Sequence, residues 1–498
     1  MITKQSLFWP ISIGIAFIFQ TLFFSMTAGL NYAVFTMLLL SVLMFYIKPK
    51  SYSHTFKFIL LLYVSVTVAV IFAHTVYSIF IYWIFTTMLI SVACYSKIIH
   101  VELAPLLFIN GLESFFSSRK DNGDIKLSGK LKPFVKFIFL PFFTILILLW
   151  LYSFSNPLFH KSISKVMEHL INALQRISFP RIFFTLLGLV MAIIFISNRP
   201  SDSTINADTG IKHHLIRIRK RVLKFGGLNK LLLRKKQVAV AAFIILNAMI
   251  GWLNYLDITN IWTNFNWDGG FLKDMVHEGT SMLIVAILIS IGITLFYLKS
   301  NLVFIKNNSF FYGLLILWLM QNILMAISVS IRNTIYIEHF SLAYKRIFVY
   351  FFLLACVVGL LSIIYKIVFR RSISFIISVN SISVLAILLI SSCFNWDKII
   401  AKHNFENYKQ SFVHYKFLAS LNNSALPYLL KSKAELDTIY LNQADKFPFV
   451  RGREYDEIDY QYLIEKRKTE FIAAWKSKNM LEWNYPESVA FIELSETK

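Results

Sequence analysis

The chain is predicted to be all-α: a polytopic α-helical membrane protein of about eleven transmembrane helices, with a small helical extramembrane module at its C-terminal end. Three observations carry this. Hydrophobic residues make up 57% of 498 and charged residues 15%, whereas a soluble domain carries about 25% charged residues, so the apolar excess must be hidden in lipid. Apolar runs of the length that crosses a bilayer as a helix, about twenty residues, recur as far as Cys393. Basic residues alternate between successive loops, as they do where positive charge orients membrane helices.

The spans are expected at 7–25, 29–47, 56–73, 77–95, 137–154, 180–197, 237–255, 276–298, 310–331, 347–368 and 374–393. The first four form two tight hairpins. The first run leads almost directly into another, so it is an uncleaved span rather than a signal peptide. "ELAPLLFINGLESFF" and "LFHKSISKVMEHLINALQRI" are too polar or too short to span and are expected along the interface. Lys/Arg clusters sit in the loops near 48–55, 96–136, 198–236, 299–309 and 369–373, whereas 26–28 and 74–76 are uncharged and 256–275 is mainly acidic. That alternation puts the N-terminus in the cytoplasm and the C-terminus outside. Four regions follow: N-terminal hairpins at 1–100, middle spans with basic loops at 101–236, a C-terminal membrane core at 237–393 and an extracytoplasmic helical tail at 394–498.

The formal charge of +23 suggests nucleic acid until it is located. Residues 1–393 hold 35 Lys+Arg against 12 Asp+Glu, and residues 394–498 hold 15 of each. The surplus belongs to the apolar part, no compact basic domain carries it, and a nucleic-acid partner is not expected. The three cysteines form no CxxC pair, so neither a metal site nor a disulfide framework is suggested. No cofactor motif is present either: there is no Walker loop, no G-x-G-x-x-G and no G-x-S-x-G elbow.

The main candidate site is "SIRNTIYIEHFSLAYKRIFVYFFLL", Ser330 to Leu354, read as an outer loop continuing the ninth span. Steps of three and four place Gln321, Met325, Ser328 and Arg332 on one helix face. Asn322 and Asn333 fall on the adjoining stripe. Polar groups in hydrocarbon are costly unless they face protein or water, so this stripe should turn into the bundle. Two readings stand. The first is hydrogen bonding between helices. The second is a site for an anionic ligand lined by Arg332, Asn333, Tyr336, Tyr344, Lys345 and Arg346, because a guanidinium fork suits carboxylate or phosphate. An internal counter-charge would come from Glu278, Glu338, Asp274 or Asp397.

His277 and Glu278 open the eighth span; Ser281 replaces the second His of a zincin, so that metal motif is missing. Asn395 and Asp397 follow the last span beside the interfacial Trp396, and Asp397 is a second candidate partner for the outer cations. "IKHHLIRIRKRVLKFGGLNKLLLRKK" reads as a basic amphipathic helix on anionic lipid headgroups.

"HEGTSMLIVAI", "QNILMAISVSIRNTIYIEHFSLAYKRIFVYFFLL" and "SCFNWDKIIAKHNF", in that order, resemble a family of uncharacterised polytopic bacterial membrane proteins, domain of unknown function 4173. The resemblance covers roughly 237–430 and rests on Glu278, Gly279, Arg332, Asn333, Tyr336, Tyr344, Arg346, Asn395 and Asp397. It implies a multi-pass protein of the bacterial inner membrane and brings no activity, so catalytic residues stay unassigned. Three function classes are open. The first is a binding, sensing or envelope-interaction protein using the outer polar cluster to meet an envelope protein or anionic ligand. The second is a membrane-embedded transferase or hydrolase acting on an envelope substrate through Asp257, Asp268 or Asp274. The third is a transporter, against which 17 glycines in 498 is low for helices that must unwind.

Overall fold

A computed structural model describes residues 4–47, 53–94, 179–197, 227–263, 271–299, 308–447 and 455–496. These residues are helical with no strand among the assigned elements. In chain order they form α1 (Lys4–Phe23), α2 (Leu30–Val42), α3 (His54–Ala73), α4 (Val76–Cys94) and α5 (Phe179–Ser197). There follow α6 (Gly227–Asp257), α7 (Phe271–Lys299), α8 (Ser309–Phe340), α9 (Tyr344–Phe369) and α10 (Ile373–Ser392). The tail supplies α11 (Trp396–Glu406), α12 (Lys433–Lys446), α13 (Tyr455–Lys476) and α14 (Tyr485–Glu496).

Among the described residues six helices are long and apolar enough to cross a membrane: α3, α4, α8, α9, α10 and the stretch Lys236–Trp262 that begins within α6. Four more carry shorter apolar stretches, Pro10–Phe23, Leu30–Phe45, Pro180–Ala192 and Met282–Leu298. The expected span at 137–154, the two interfacial segments and the basic amphipathic helix lie outside the described residues.

The chain divides into two compact units. One holds residues 1–71, 82–209 and 479–484; the other holds 72–81, 210–478 and 485–498. In the first, Phe19, Phe23, Phe35, Tyr32 and Trp83 pack ring on ring. Beside them lies a buried hydroxyl cluster. Tyr63 and Tyr82 hydroxyls are 2.7 Å apart, and Thr36 Oγ1 lies 3.1, 3.0 and 3.1 Å from Tyr63, Tyr82 and Thr67. A hydroxyl can both donate and accept, so these groups satisfy one another inside an apolar bundle, with Thr67 Oγ1 also donating to Tyr63 O at 2.9 Å.

In the second unit, Phe243, Ile250, Ile287, Leu315, Leu319, Val329, Leu360 and Ile363 form one core across α6 to α9. The tail has its own core of Ile400, Leu418, Leu426, Leu429, Ile439, Ile464 and Leu494, and this core includes Ile347 of α9 with Leu342, Tyr344 and Phe351 packed against it. Pro427 interrupts no helix; it occupies the first turn of a short helix, Leu426–Leu429, where a missing N–H costs nothing.

The segment 332–346, expected to be a loop, is mostly helix. α8 continues to Phe340, and only Ser341, Leu342 and Ala343 connect it to α9. Several of its polar groups, those of Arg332, Asn333, Tyr344 and Arg346, find protein partners, which is what buried polar groups require.

Candidate functional site

The site is built from α6 and α8, which run in the same direction with polar residues in matched steps. Asn247 Nδ2 donates to Leu314 O at 3.1 Å, and its Oδ1 accepts from Gln321 Nε2 at 2.8 Å. One heptad later Asn254 Nδ2 donates to Gln321 O at 3.1 Å. Gly251 lies between, and a Cβ there would come within 3.0 Å of the Gln321 amide oxygen, so the missing side chain admits that amide.

The ladder ends on Asp257, the last residue of α6, where the chain enters a π turn over Ile258–Trp262. Asp257 accepts from Ser328 Oγ at 2.5 Å and from Arg332 Nη2 at 2.6 Å, and Trp262 Nε1 donates to Ser328 Oγ at 3.3 Å. Asp257 and Arg332 are 4% and 6% exposed. Coulomb attraction is strong in such a place, but both desolvation costs are large, so the pair needs close geometry to hold. Its satisfaction is incomplete: among the described residues Arg332 Nε, Asn322 Oδ1 and Asn254 Oδ1 have no hydrogen-bond partner.

The predicted stripe of α8 therefore faces α6. Among the described residues the counter-charge of Arg332 is Asp257, not Glu338 or Asp397, and the Asp274 side chain lies outside the described residues. Glu338 is exposed. His277 and Glu278 lie in the first turns of α7, and their side chains fall outside the described residues.

The other members of the predicted cluster join α8 and α9 to the tail. Asn333 Nδ2 donates to Arg346 O at 2.9 Å. Arg346 donates to Phe340 O at 2.6 Å and to Ser341 O, with its guanidinium over the Tyr336 ring at 4.5 Å. It thus ties down the last carbonyls of α8, where a cation is favoured. Ser341, in the left-handed region at φ 68°, donates to Phe412 O at 2.7 Å and Ser411 Oγ at 2.9 Å. Asn404 pairs twice with the Leu342 backbone, at 2.7 and 3.0 Å. The Tyr344 hydroxyl donates to Asp397, which also accepts from Asn422 N at 2.9 Å. Asn395 caps α11 through Lys398 N at 3.0 Å and donates to Ser424 at 3.0 Å. Lys345 is exposed. One cluster in the sequence is thus two in space: a buried ion pair on α6 and α8, and a polar clasp under the tail.

A third group was not read from the sequence. His74, in the α3–α4 turn at φ 48°, places Nε2 3.6 Å from Glu487 Oε1, and Lys478 Nζ lies 2.5 Å from Glu487 Oε2. Asn422 Nδ2 donates to His74 O at 3.3 Å. Burial pushes the Glu487 carboxyl up, but His74 and the Lys478 ammonium together outweigh it and bring it from 4.5 down to about 2. A carboxyl depressed in the folded state contributes stability that is present above its unfolded value and lost as pH falls through the folded one. Docking of α14 is therefore expected to weaken between about pH 4.5 and 2. Hydrogen exchange across Tyr485–Glu496 should report that loss, and Glu487→Gln should remove most of the dependence in this window.

Among the described residues no three His, Cys, Asp or Glu side chains are placed to hold a metal ion. No curated protein and no solved structure matches the chain. A family model does, over residues 9–432, and its description is domain of unknown function (DUF4153). The resemblance to domain of unknown function 4173 therefore stands only at the coarser level of a domain of unknown function, and the family itself is a different one. With the match reaching from α1 into the tail module, the chain belongs to the DUF4153 family.

Proposed function

We propose that the chain is an eleven-span protein of a bacterial inner membrane, N-terminus inside and C-terminus outside, and that it works by binding: its helical tail and the outer ends of α8 and α9 form one recognition surface for an envelope partner or anionic ligand. The observation that carries this reading is the shared core, in which Ile347, Tyr344 and Phe351 of α9 belong with Trp396, Ile400 and Leu418 of the tail. A tail fused to helix ends in this way moves with them, so occupancy outside can bias packing within the membrane. Lys345 and Glu338 are exposed at that junction and supply its polar rim.

Photo-crosslinking from Lys345 and from Tyr462, which is 69% exposed on α13, tests this in intact cells. One envelope component captured from both positions is the expected result. Capture from neither, or a tag at Lys498 shielded by an intact cytoplasmic membrane, would overturn it. A second reading, a membrane-embedded transferase or hydrolase, draws on Asp257 with Ser328 and Arg332: a carboxylate that receives a hydroxyl at 2.5 Å is placed as a general base would be. Loss of phenotype in Asp257→Asn at normal abundance and normal melting would favour it.

A further inference from the structure

The exposed face of α3 runs on into the last helix of the tail. Leu61, Val64, Val68 and Phe72 are exposed in steps of three and four, which places them on one side of the helix. Val76 and Phe80 are exposed one turn apart at the start of α4. Both helices are long and apolar enough to cross a membrane. An exposed apolar face on such a helix meets lipid, because removing apolar surface from water is favourable. The Tyr485 ring, at the start of α14, packs on the Phe72 ring with 5.4 Å between centroids. It is thus held against a lipid-facing side chain at the end of a span.

α14 has two faces. Pro486, Glu487, Ala490 and Leu494 are buried, and the clasp secures that side: Glu487 lies 3.6 Å from His74 in the α3–α4 turn and 2.5 Å from Lys478. On the opposite side Val489 and Ile492 follow Tyr485 in steps of four and three, so the three share one stripe. Tyr485 and Ile492 are 48% and 54% exposed, and Val489 is half-buried. Single exposed apolar residues need no explanation, but these stand in register with a ring seated on a lipid-facing one. Tyrosine suits such a place, with an apolar ring and a hydroxyl for the headgroup level. α14 contains no Lys or Arg, and its charged residues are Glu487, Glu493 and Glu496. Attraction to anionic headgroups therefore does not hold it at a membrane, and apolar contact must.

We infer that α14 is an interfacial helix, seated with Tyr485, Val489 and Ile492 at the boundary between phospholipid headgroups and acyl chains. Either side of the membrane suits this placement, since only the adjoining ends of α3 and α4 enter into it. The test uses the full chain in discs of phosphatidylcholine, with a photoreactive benzophenone side chain at one position and intact mass as the readout. Val68, on the lipid face of α3, gives the labelling that lipid contact produces. Lys466, exposed on α13 and paired with Glu470 at 3.9 Å, gives that of a water-facing tail residue. The expected result is a phospholipid adduct from Ile492, as from Val68, and none from Lys466. Labelling from Ile492 no stronger than from Lys466 would overturn the placement. So would a species of twice the chain mass in place of the adduct, because a second copy would then cover the stripe. Where the probe at Ile492 disturbs folding, Val489 decides by the same comparison.

Discussion

Arg332→Ala is expected to lower stability by about 3–5 kcal/mol, because it strands Asp257 as an uncompensated buried charge. Asp257→Ala should cost a similar amount for the mirror reason. Replacing both, as Asp257→Leu with Arg332→Met, should recover most of the loss, since well-packed apolar residues often substitute for a buried ion pair without penalty. The double-mutant cycle therefore carries the test, with melting in detergent or lipid discs as the measurement. Simple addition of the two single losses would mean that the 2.6 Å contact is not an energetic unit. Ser328→Ala is the milder companion. It leaves Asp257 one strong partner, removes the acceptor for Trp262 Nε1, and should cost about 1–2 kcal/mol.

That pair also marks the limit of what the sequence discloses. Helix period placed Gln321, Ser328 and Arg332 on one face of α8 and made them a stripe to be buried. What the period does not supply is the partner. The counter-charge is held by residue 257, and any of several carboxylates satisfies the same charge argument. The signal for it lies in α6, where Asn247, Asn254 and Asp257 form a second polar stripe in steps of seven and three. The short stretch from Arg332 to Arg346 misled for a related reason: hydropathy falls there, yet the backbone stays helical to Phe340 because Arg346, Asn404 and Asp397 meet its polar groups. The clasp at His74 was invisible. The tail is charge-balanced, so Glu487 does not stand out within it, and His74 sits in a turn that looks empty of charge. The hydroxyl cluster left a faint signature in Tyr63 and Thr67, and in Tyr82 and Thr86, each pair one helical turn apart on facing helices.

Gly29→Ala should be the most damaging single methyl in the first unit. The backbone at Gly29 is extended, φ −180°, so any residue can adopt it and conformational freedom is not the issue. Space is. A Cβ there would lie 2.5 Å from the Glu482 carbonyl carbon and 2.5 Å from Trp483 O, and both are main-chain atoms that no rotamer change can move. The segment they belong to is seated on the α1–α2 turn by Leu30 N donating to Trp483 O at 3.1 Å and Thr27 N donating to Glu482 Oε1 at 2.6 Å. Asn31, fully buried, holds the turn itself through Gly29 N and Leu22 O, both at 2.8 Å. Overpacking of this kind costs roughly 1–3 kcal/mol, and the cheapest relief is for residues 479–484 to lift away. The expected result is protease cleavage within that segment while helical content is retained. Gly188→Ala makes the informative contrast. Its Cβ would meet the Phe19 ring at 2.8 Å, and a ring can turn, so its loss should be smaller. Gly14→Ala meets nothing within 4 Å and should be silent. A Gly29→Ala protein that melts and resists protease like Gly14→Ala would show that the tail segment does not occupy this turn in the folded protein.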